Sequence, residues 1–447
     1  MSDEAFFGTD GIRDRYGRGR LAPEAQRRIG RAIATFAHDR IGPSARVFFG
    51  RDTRPSGPEL LRGLAEGLAA EGVRAEDGGV MPTPAIAWWT ATGGADVGIA
   101  LTASHNPESD NGVKVFLPGG RKTSPDEEVD LDARIRAAAK AGAAASPLAR
   151  PDALEAYVAA ALRALAPGGR LDGLALVVDC ANGATTRSAR RVLEALGARV
   201  ATPTGSDPAG SINDRCGTEH REAWLAAVAS GGVDGGIAFD GDGDRVLLAD
   251  ATGEVLDGDP LLHLLARDLH ERGLLEGDRV VATIMSNFGL EQALSKVNVA
   301  LDRVPVGDRY VAARMRETGA ALGGEQSGHV VLKWGDALVG DGLVAGVTAL
   351  QAAKRRGLSL EAARLEVVRV PQVLRNVPVA KKVPFEKAPA FERAVHDEER
   401  RLSGIGRVVV RYSGTESLLR IMVEAADASV VDGAIRRLET AAATSLR

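Results

Sequence analysis

One pattern is used three times along this chain, and it restricts the fold more than any other feature. Each time, an apolar strand-like run enters a polar, glycine-containing loop, and an amphipathic helix and another short strand follow. The first copy is Arg46-Val47-Phe48-Phe49-Gly50, a loop from Arg51 to Ser56, and a helix carrying Leu60, Leu61, Leu64 and Leu68. Ser56 and Glu59 predict a capping box at that helix start. The second runs from Leu174 to Asp179, through a loop from Cys180 to Thr186, into a helix with Val192, Leu193 and Leu196 that Gly197 stops. The third runs from Arg279 to Ile284, through Met285 to Gly289, into a helix with Leu290 and Leu294. Alternating strands and helices predict α/β domains whose parallel or mixed sheets are covered on both faces. Ligands of such sheets collect outside the carboxyl ends of the strands, where these loops lie.

Three copies and an unlike tail predict four domains around one cleft, 1–150, 151–252, 253–370 and 371–447. The joints are read from composition: the Ala-rich stretch Ala137 to Pro151, the region Asp250 to Asp257, and Val370 to Pro378, where two prolines bracket a polar segment. The tail reads as strand, helix, strand, loop, strand, helix, with strands at Val408 to Arg411 and Leu418 to Val423. The net charge of −4 argues against a nucleic-acid-binding surface, so anionic ligands must be met by local Arg clusters. No run approaches the roughly 18 apolar residues of a membrane span, and the acidic start Met1-Ser2-Asp3-Glu4 leads into no signal-like segment. A cytoplasmic location without a membrane partner is therefore expected. Cys180 and Cys216 are too few for a disulfide framework and are expected to be inert packing residues. The oligomeric state is left open, a homodimer included.

Chemistry concentrates in a few short stretches. Thr102-Ala103-Ser104-His105-Asn106-Pro107 offers one hydroxyl in a loop after the strand-like Val97 to Leu101. His105 is adjacent in sequence, but neighbouring side chains rarely meet, so no Ser–His pair is implied. Asp240-Gly241-Asp242-Gly243-Asp244-Arg245 follows the apolar run Gly236 to Phe239. Its glycines let three carboxylates converge, and charges that close repel unless a cation neutralises them. An EF-hand loop is excluded, because Arg245 and Ala251 stand where Gly and Glu are needed. A hard-oxygen site holding Mg²⁺ fits better, and a hydroxyl that carries phosphoryl beside a metal cage makes one phosphoryl-transfer site. Arg411-Tyr412-Ser413-Gly414-Thr415-Glu416, followed by Arg420, combines exposed N–H groups, hydroxyls and two guanidiniums into an anion cradle. Gly323-Gly324-Glu325-Gln326-Ser327-Gly328-His329 can turn Glu325 and Ser327 toward sugar hydroxyls or an amine, and Arg13 can reach an anion from the opening loop Phe7 to Arg13.

Together with Gly50-Arg51-Asp52-Thr53-Arg54 and Val306-Gly307-Asp308-Arg309-Tyr310, these stretches resemble the α-D-phosphohexomutase superfamily over essentially the whole chain, in order and in spacing. The resemblance implies three similar α/β mixed-sheet domains and an unlike C-terminal α+β domain around a central cleft. It implies interconversion of glucosamine 6-phosphate and glucosamine 1-phosphate through a phosphoserine and a bisphosphate, toward UDP-N-acetylglucosamine and cell-wall precursors. Ser104 would carry the phosphoryl group and bind Mg²⁺ with Asp240, Asp242 and Asp244. Arg13, Lys114 and Arg245 match positions near the transferring group, with Lys114 a candidate general acid/base. Glu325 and Ser327 match sugar-binding positions, and His105, Asp308 and His329 are placed with them on the substrate side. Arg411, Ser413, Gly414, Thr415 and Arg420 match the site of the phosphate that is not reacting. Asp14 departs from the family's usual Gly, and Tyr412 and Ser417 from its common Pro. The Ser104 and Asp features leave open a phosphomannomutase or phosphoglucomutase, a Mg²⁺-dependent sugar phosphatase, and a non-catalytic sugar-phosphate binder. Gln326 and Val306 to Tyr310 lean toward the amino sugar.

Overall fold

The computed structural model describes residues 5–8, 10–201, 205–334, 337–413 and 417–446. These form four sheets, and the first three share one five-stranded unit. In the second sheet the order is Arg199–Ala201, Ala175–Asp179, Gly235–Phe239, Val246–Asp250, Val255–Leu256. The first three of these strands are parallel and the last two antiparallel. The third sheet repeats that order and polarity with Ala300–Val304, Arg279–Thr283, Leu322–Gly324, Val330–Trp334 and Ala337–Gly340. The first sheet contains the same unit in Ala75–Val80, Val47–Arg51, Val97–Leu101, Asp110–Leu117 and Arg121–Lys122. It adds Gly11–Arg15 and Phe7–Gly8 beyond Asp110–Leu117, and Leu148–Ala149 beyond Ala75–Val80.

The serine loop after Val97–Leu101, the acidic loop after Gly235–Phe239 and the loop after Leu322–Gly324 therefore occupy one equivalent place in three repeats. Each lies where the sheet changes from parallel to antiparallel strands. A loop there leaves the carboxyl end of a central strand, which is where α/β sheets present their ligand-binding groups.

The last sheet is antiparallel throughout, Gln372–Pro378, Leu418–Ala425, Gly406–Tyr412, with the helices Pro389–Leu402 and Ala428–Ser445 packed on it. Its core is its own, built from residues such as Phe391, Leu419, Ile421, Val423, Ile435 and Leu438. By contrast, one continuous core runs through the first three domains, from Phe48 and Phe116 through Leu176 and Phe239 to Leu290 and Val347. Tyr157 and Asp341, both fully buried in effect, join the helices Asp152–Leu165 and Gly342–Arg355 within it by a 2.8 Å hydrogen bond.

Local expectations met the structure unevenly. The three predicted helices form as Gly57–Ala70, Ala189–Ala195 and Phe288–Ser295, and Gly197 has the left-handed φ of 97° that ends the second. The capping box at Ser56 and Glu59 does not form. Ser56 accepts instead from Asn111 Nδ2 at 2.8 Å, and Glu59 from the Tyr16 hydroxyl at 3.0 Å, so tertiary partners outcompete the local ones. The complete box lies at Ser124 and Glu127, which open the helix Pro125–Ala137. The segment between the two prolines, read as a joint, is the strand Gln372–Pro378. Pro378 closes that strand at the sheet's edge, where a missing N–H is tolerated. Cys180 and Cys216 are buried, and burial pushes both thiols up to about 12, which keeps them protonated and unreactive. No helix among the described residues is long and apolar enough to cross a membrane.

Candidate active site

The serine loop and the acidic loop meet. Ser104 Oγ donates to Asp240 Oδ2 at 2.6 Å, although 136 positions separate them in the chain. Asp240, Asp242 and Asp244 are all buried, and one carboxylate oxygen of each lies within 4.8 Å of the others. Glycine makes this approach possible. A Cβ on Gly241 would stand 2.6 Å from the Ser104 carbonyl oxygen and 2.9 Å from Asn213 Nδ2. Gly243 takes a left-handed φ of 76°, which curls the loop so that the amides of Gly243 and Arg245 both donate to Asp240 Oδ1.

Ser104 itself adopts a φ of 52°, a conformation that costs an L-residue about 1–2 kcal/mol. The surroundings hold it there. Thr102 Oγ1 accepts from the Ser104 amide at 2.8 Å and donates to Asp52 at 2.6 Å. Arg54, paired with Asp52 and fully buried, donates to the carbonyls of Ser104, Asn106, Pro107 and Asp110. Asn213 Nδ2 donates to the Ser104 and Asn106 carbonyls at 2.8 and 2.9 Å. One consequence corrects the sequence expectation: the left-handed turn brings His105 Nδ1 to 3.3 Å from Ser104 Oγ, so these neighbouring side chains do meet. Burial and the nearby Arg245 lower the His105 pKa, which favours the neutral ring.

Cations close the cluster. Lys114, on the strand Asp110–Leu117, donates from Nζ to Asp242 and Asp244 at 2.9 Å each and lies 3.3 Å from Asp10. Burial works against its charge, but Asp10, Asp242 and Asp244 outweigh it and hold the ammonium well above the usual lysine value. The Asp240 carboxyl is pushed well up, by burial first and then by the charges of Asp244 and Asp242. Arg13 pairs with Asp10, and Arg245 lies 3.6 Å from Glu219. Thr83 Oγ1 donates to Asp242 at 2.6 Å. Oδ1 of both Asp242 and Asp244 is buried without a hydrogen-bond partner among the described residues. Buried acceptors left open inside a set of hard oxygens suit a divalent cation such as Mg²⁺.

The third loop joins the other two through a backbone bridge between Arg245 and His329. Glu325 Oε1 accepts from the Gly307 amide at 3.1 Å, Ser327 is exposed, and His329 lies 3.7 Å from Asp244 and 3.5 Å from Asp308. Gln326, which leans toward the amino sugar in the sequence, is fixed by a side-chain hydrogen bond. Its amide donates to Asp259 at 3.2 Å, while Asp259 also accepts from the Asn287 amide.

Arg411 and Arg420 are direct cross-strand partners in the last sheet. Two like charges so placed repel one another, and burial together with Arg420 lowers the Arg411 pKa. Ser413 is buried beside them, and its amide donates to the Leu418 carbonyl. Gly414 and Thr415 lie outside the described residues. Tyr412, where the family commonly has Pro, is anchored by its hydroxyl to the Val383 carbonyl at 2.7 Å and stacks on Phe385. Asp14 accepts from the amides of Arg15 and Arg20, and so closes a turn.

Sequence profiles of the phosphoglucomutase/phosphomannomutase α/β/α domains I, II and III match residues 4–142, 155–253 and 257–369, and that of the C-terminal domain matches 368–438. The chain belongs to the phosphoglucomutase/phosphomannomutase family. Within this family, the phosphoglucosamine mutase of Pseudomonas savastanoi pv. phaseolicola is 42% identical over 436 residues, 96% of each chain. A phosphoglucomutase/phosphomannomutase family protein of known structure from Burkholderia thailandensis is 26% identical, with a TM-score of 0.81 over 100% of this chain and 98% of its own. The Aspergillus fumigatus N-acetylphosphoglucosamine mutase, solved with GlcNAc-6P and magnesium, shares the fold at 18% identity and a TM-score of 0.65, over 99% of this chain and 96% of that one.

The residues that sequence reasoning missed hold the serine loop or pair with the charges around the acidic cluster. Arg54, Asp52 and Asp10 stand in stretches quoted for the resemblance but given no task, and Asn213, Thr83 and Lys122 carry no local signature. They act through contacts more than fifty positions away in most cases, which no short motif reports.

Proposed function

We propose that this chain interconverts glucosamine 6-phosphate and glucosamine 1-phosphate, with Ser104 carrying a phosphoryl group between turnovers. The observation that carries the reading is the 2.6 Å contact between Ser104 Oγ and Asp240, inside the buried carboxylate cluster. Relatives named as phosphoglucosamine mutases, 42% identical across 96% of the chain, support the choice of amino sugar.

Ser104 gives its phosphoryl group to the unphosphorylated end of the sugar monophosphate. The Oγ–P bond breaks as a bond forms to the sugar oxygen, and the sugar hydroxyl gives up its proton. Lys114 is the candidate to relay that proton: its ammonium gives a proton to the departing Ser104 Oγ, the sugar hydroxyl's proton replaces it, and Asp10, Asp242 and Asp244 favour the charged form so restored. The resulting bisphosphate turns over in the cleft, and its other phosphoryl group returns to Ser104. Arg13 and Arg245 stabilise charge near the transferring group, and Glu325, Ser327, His105, Asp308 and His329 orient the sugar. Arg411, Ser413 and Arg420, with Gly414 and Thr415, grip whichever phosphate is not reacting. Asp240, Asp242 and Asp244 would hold Mg²⁺ together with the Ser104 oxygen, and the ion would supply electrostatic stabilisation of the phosphoryl oxygens. Enclosure keeps water from the phosphoserine. A cytoplasmic location goes with this reading.

Replacing Ser104 by Ala tests it: mutase turnover should vanish while the thermal melt stays near that of the parent, and near-normal turnover would refute it. Chelation should stop the reaction and added Mg²⁺ restore it. Turnover compared across glucosamine, mannose and glucose phosphates tests the sugar, and free phosphate as the main product would favour a phosphatase.

A further inference from the structure

Beside the acidic cluster lies a cavity of about 320 Å³ between the first and third domains. Its walls are largely apolar and include Pro84, Ala87, Phe116, Ala312, Val331 and Leu338. Ser104, Arg245, Glu325 and Ser327 do not line it, and neither does the last domain, whereas Asp308 and His329 do, so it adjoins the cleft where the sugar phosphate would sit and shares a wall with it. Its inner end is polar but already paired. There Lys122 Nζ lies 2.7 Å from Asp10 and 2.5 Å from Asp308, and His329 stands between Asp308 and Asp244. These groups neutralise one another and ask for no further charge.

The solvent side differs. Arg121 and Arg316 both line the cavity. Glu127 holds Arg121 through two hydrogen bonds, at 2.7 and 2.8 Å. Among the described residues no carboxylate pairs with Arg316, so the mouth keeps one unbalanced positive charge next to a second guanidinium. Partial burial and the charge of Arg121 both pull Arg316 below the usual arginine value. An apolar chamber with a few placed polar groups is the general form of a small-molecule site, and this one is at the lower end of the usual size range.

We propose that this cavity binds a small amphipathic anion: an apolar body of roughly ten heavy atoms inside, at about 30 Å³ per water-sized unit, and a carboxylate or similar head at Arg316 and Arg121. The site adjoins the substrate cleft and shares Asp244, Asp308 and His329 with it as a wall, which suits a modulator of the neighbouring centre. Binding itself does not rest on the mutase reading.

Decanoate is a suitable probe, titrated calorimetrically into the whole protein with and without saturating glucosamine 1-phosphate. One-to-one binding is expected with and without the sugar phosphate, which shifts the affinity without abolishing it. Arg316→Glu, at an exposed position that leaves the fold intact, should weaken it at least about tenfold, the worth of one charge-assisted bond. Leu338→Trp should fill the chamber and abolish binding, and uncharged decanol should bind at least about tenfold more weakly than decanoate. The proposal is overturned by no saturable binding at millimolar decanoate, by displacement with the sugar phosphate, or by an affinity that Arg316→Glu leaves unchanged in a protein with a parental melting curve.

Discussion

The serine-and-carboxylate centre and the paired arginines of the last sheet are built in opposite ways. The centre sits between domains that share one continuous core, and its hydroxyl, carboxylates and lysine are all buried. Its strained serine is tied down by Thr102, Arg54 and Asn213. The arginine pair stands on a domain with a core of its own. That domain is clamped to the third by a polar group: Glu424, fully buried, accepts from Arg407, from Asn287 Nδ2 and from the Phe288 amide. Arg407 also donates to the carbonyls of Ile284 and Ser286. The contrast teaches how one site can both fix its chemistry and accept a phosphosugar in two orientations. On the proposed mechanism, the reacting groups are over-determined, and the pair that would meet the idle phosphate stands on a domain with its own core. Opening and closing of that domain would admit and release substrate.

The largest expected effect is at the rigid centre. Ser104→Ala should lower turnover on the order of 10³-fold or more, because it removes the proposed phosphoryl carrier. Steady-state assay of both reaction directions checks this. Next comes the arginine pair. Arg420→Ala should cost ~1.5–3 kcal/mol of substrate binding through lost charge-assisted bonds, seen mainly as a raised KM. Equal loss in kcat instead would mean that the cradle belongs to the chemical step, and the contrast would fail. Asn213→Ala removes one of two donors from each of two serine-loop carbonyls that Arg54 still bonds, worth about 0.5–1.5 kcal/mol per bond. Its effect should fall on kcat with KM nearly unchanged, the mirror image of Arg420→Ala.

The smallest effect on turnover is expected from Asp341→Asn, a control within the shared core. Burial raises Asp341 to about 6, whereas in the unfolded chain it titrates near 4. The folded state therefore binds this proton more tightly, so the stability it brings is present at low pH and lost as pH rises from about 4 to 6. Urea unfolding of the parent should show that decline, by at most about 3 kcal/mol, and the variant should lack it while turning over normally.

Much of this was legible in the sequence, for physical reasons. Strand, glycine loop and helix recur with enough periodicity to name the repeated unit, and Asp-Gly-Asp-Gly-Asp after an apolar run announces convergent carboxylates. The equivalence of the three functional loops was not legible, because it depends on which strands pair and with what polarity. Ser56 misled since its capping potential is local, while Asn111 reaches it from a strand far along the chain. Ser124-Pro125-Asp126-Glu127 carried the same signature in plainer form. Gln326 points toward the amino sugar in the sequence, while its hydrogen bond to Asp259, 67 positions away, is not legible locally. Arg54 offered no motif of its own, since its task is to satisfy four carbonyls of a distant loop.

The central claim is that the Ser104 oxygen carries the phosphoryl group. It is tested most directly by quenching the enzyme in mid-turnover and mapping phosphate by intact-protein and peptide mass measurement. A single added phosphoryl group on the peptide containing Ser104, absent from Ser104→Ala, is the expected result. A fully active enzyme with no phosphate on that peptide, or with phosphate mapped to another residue, would contradict it.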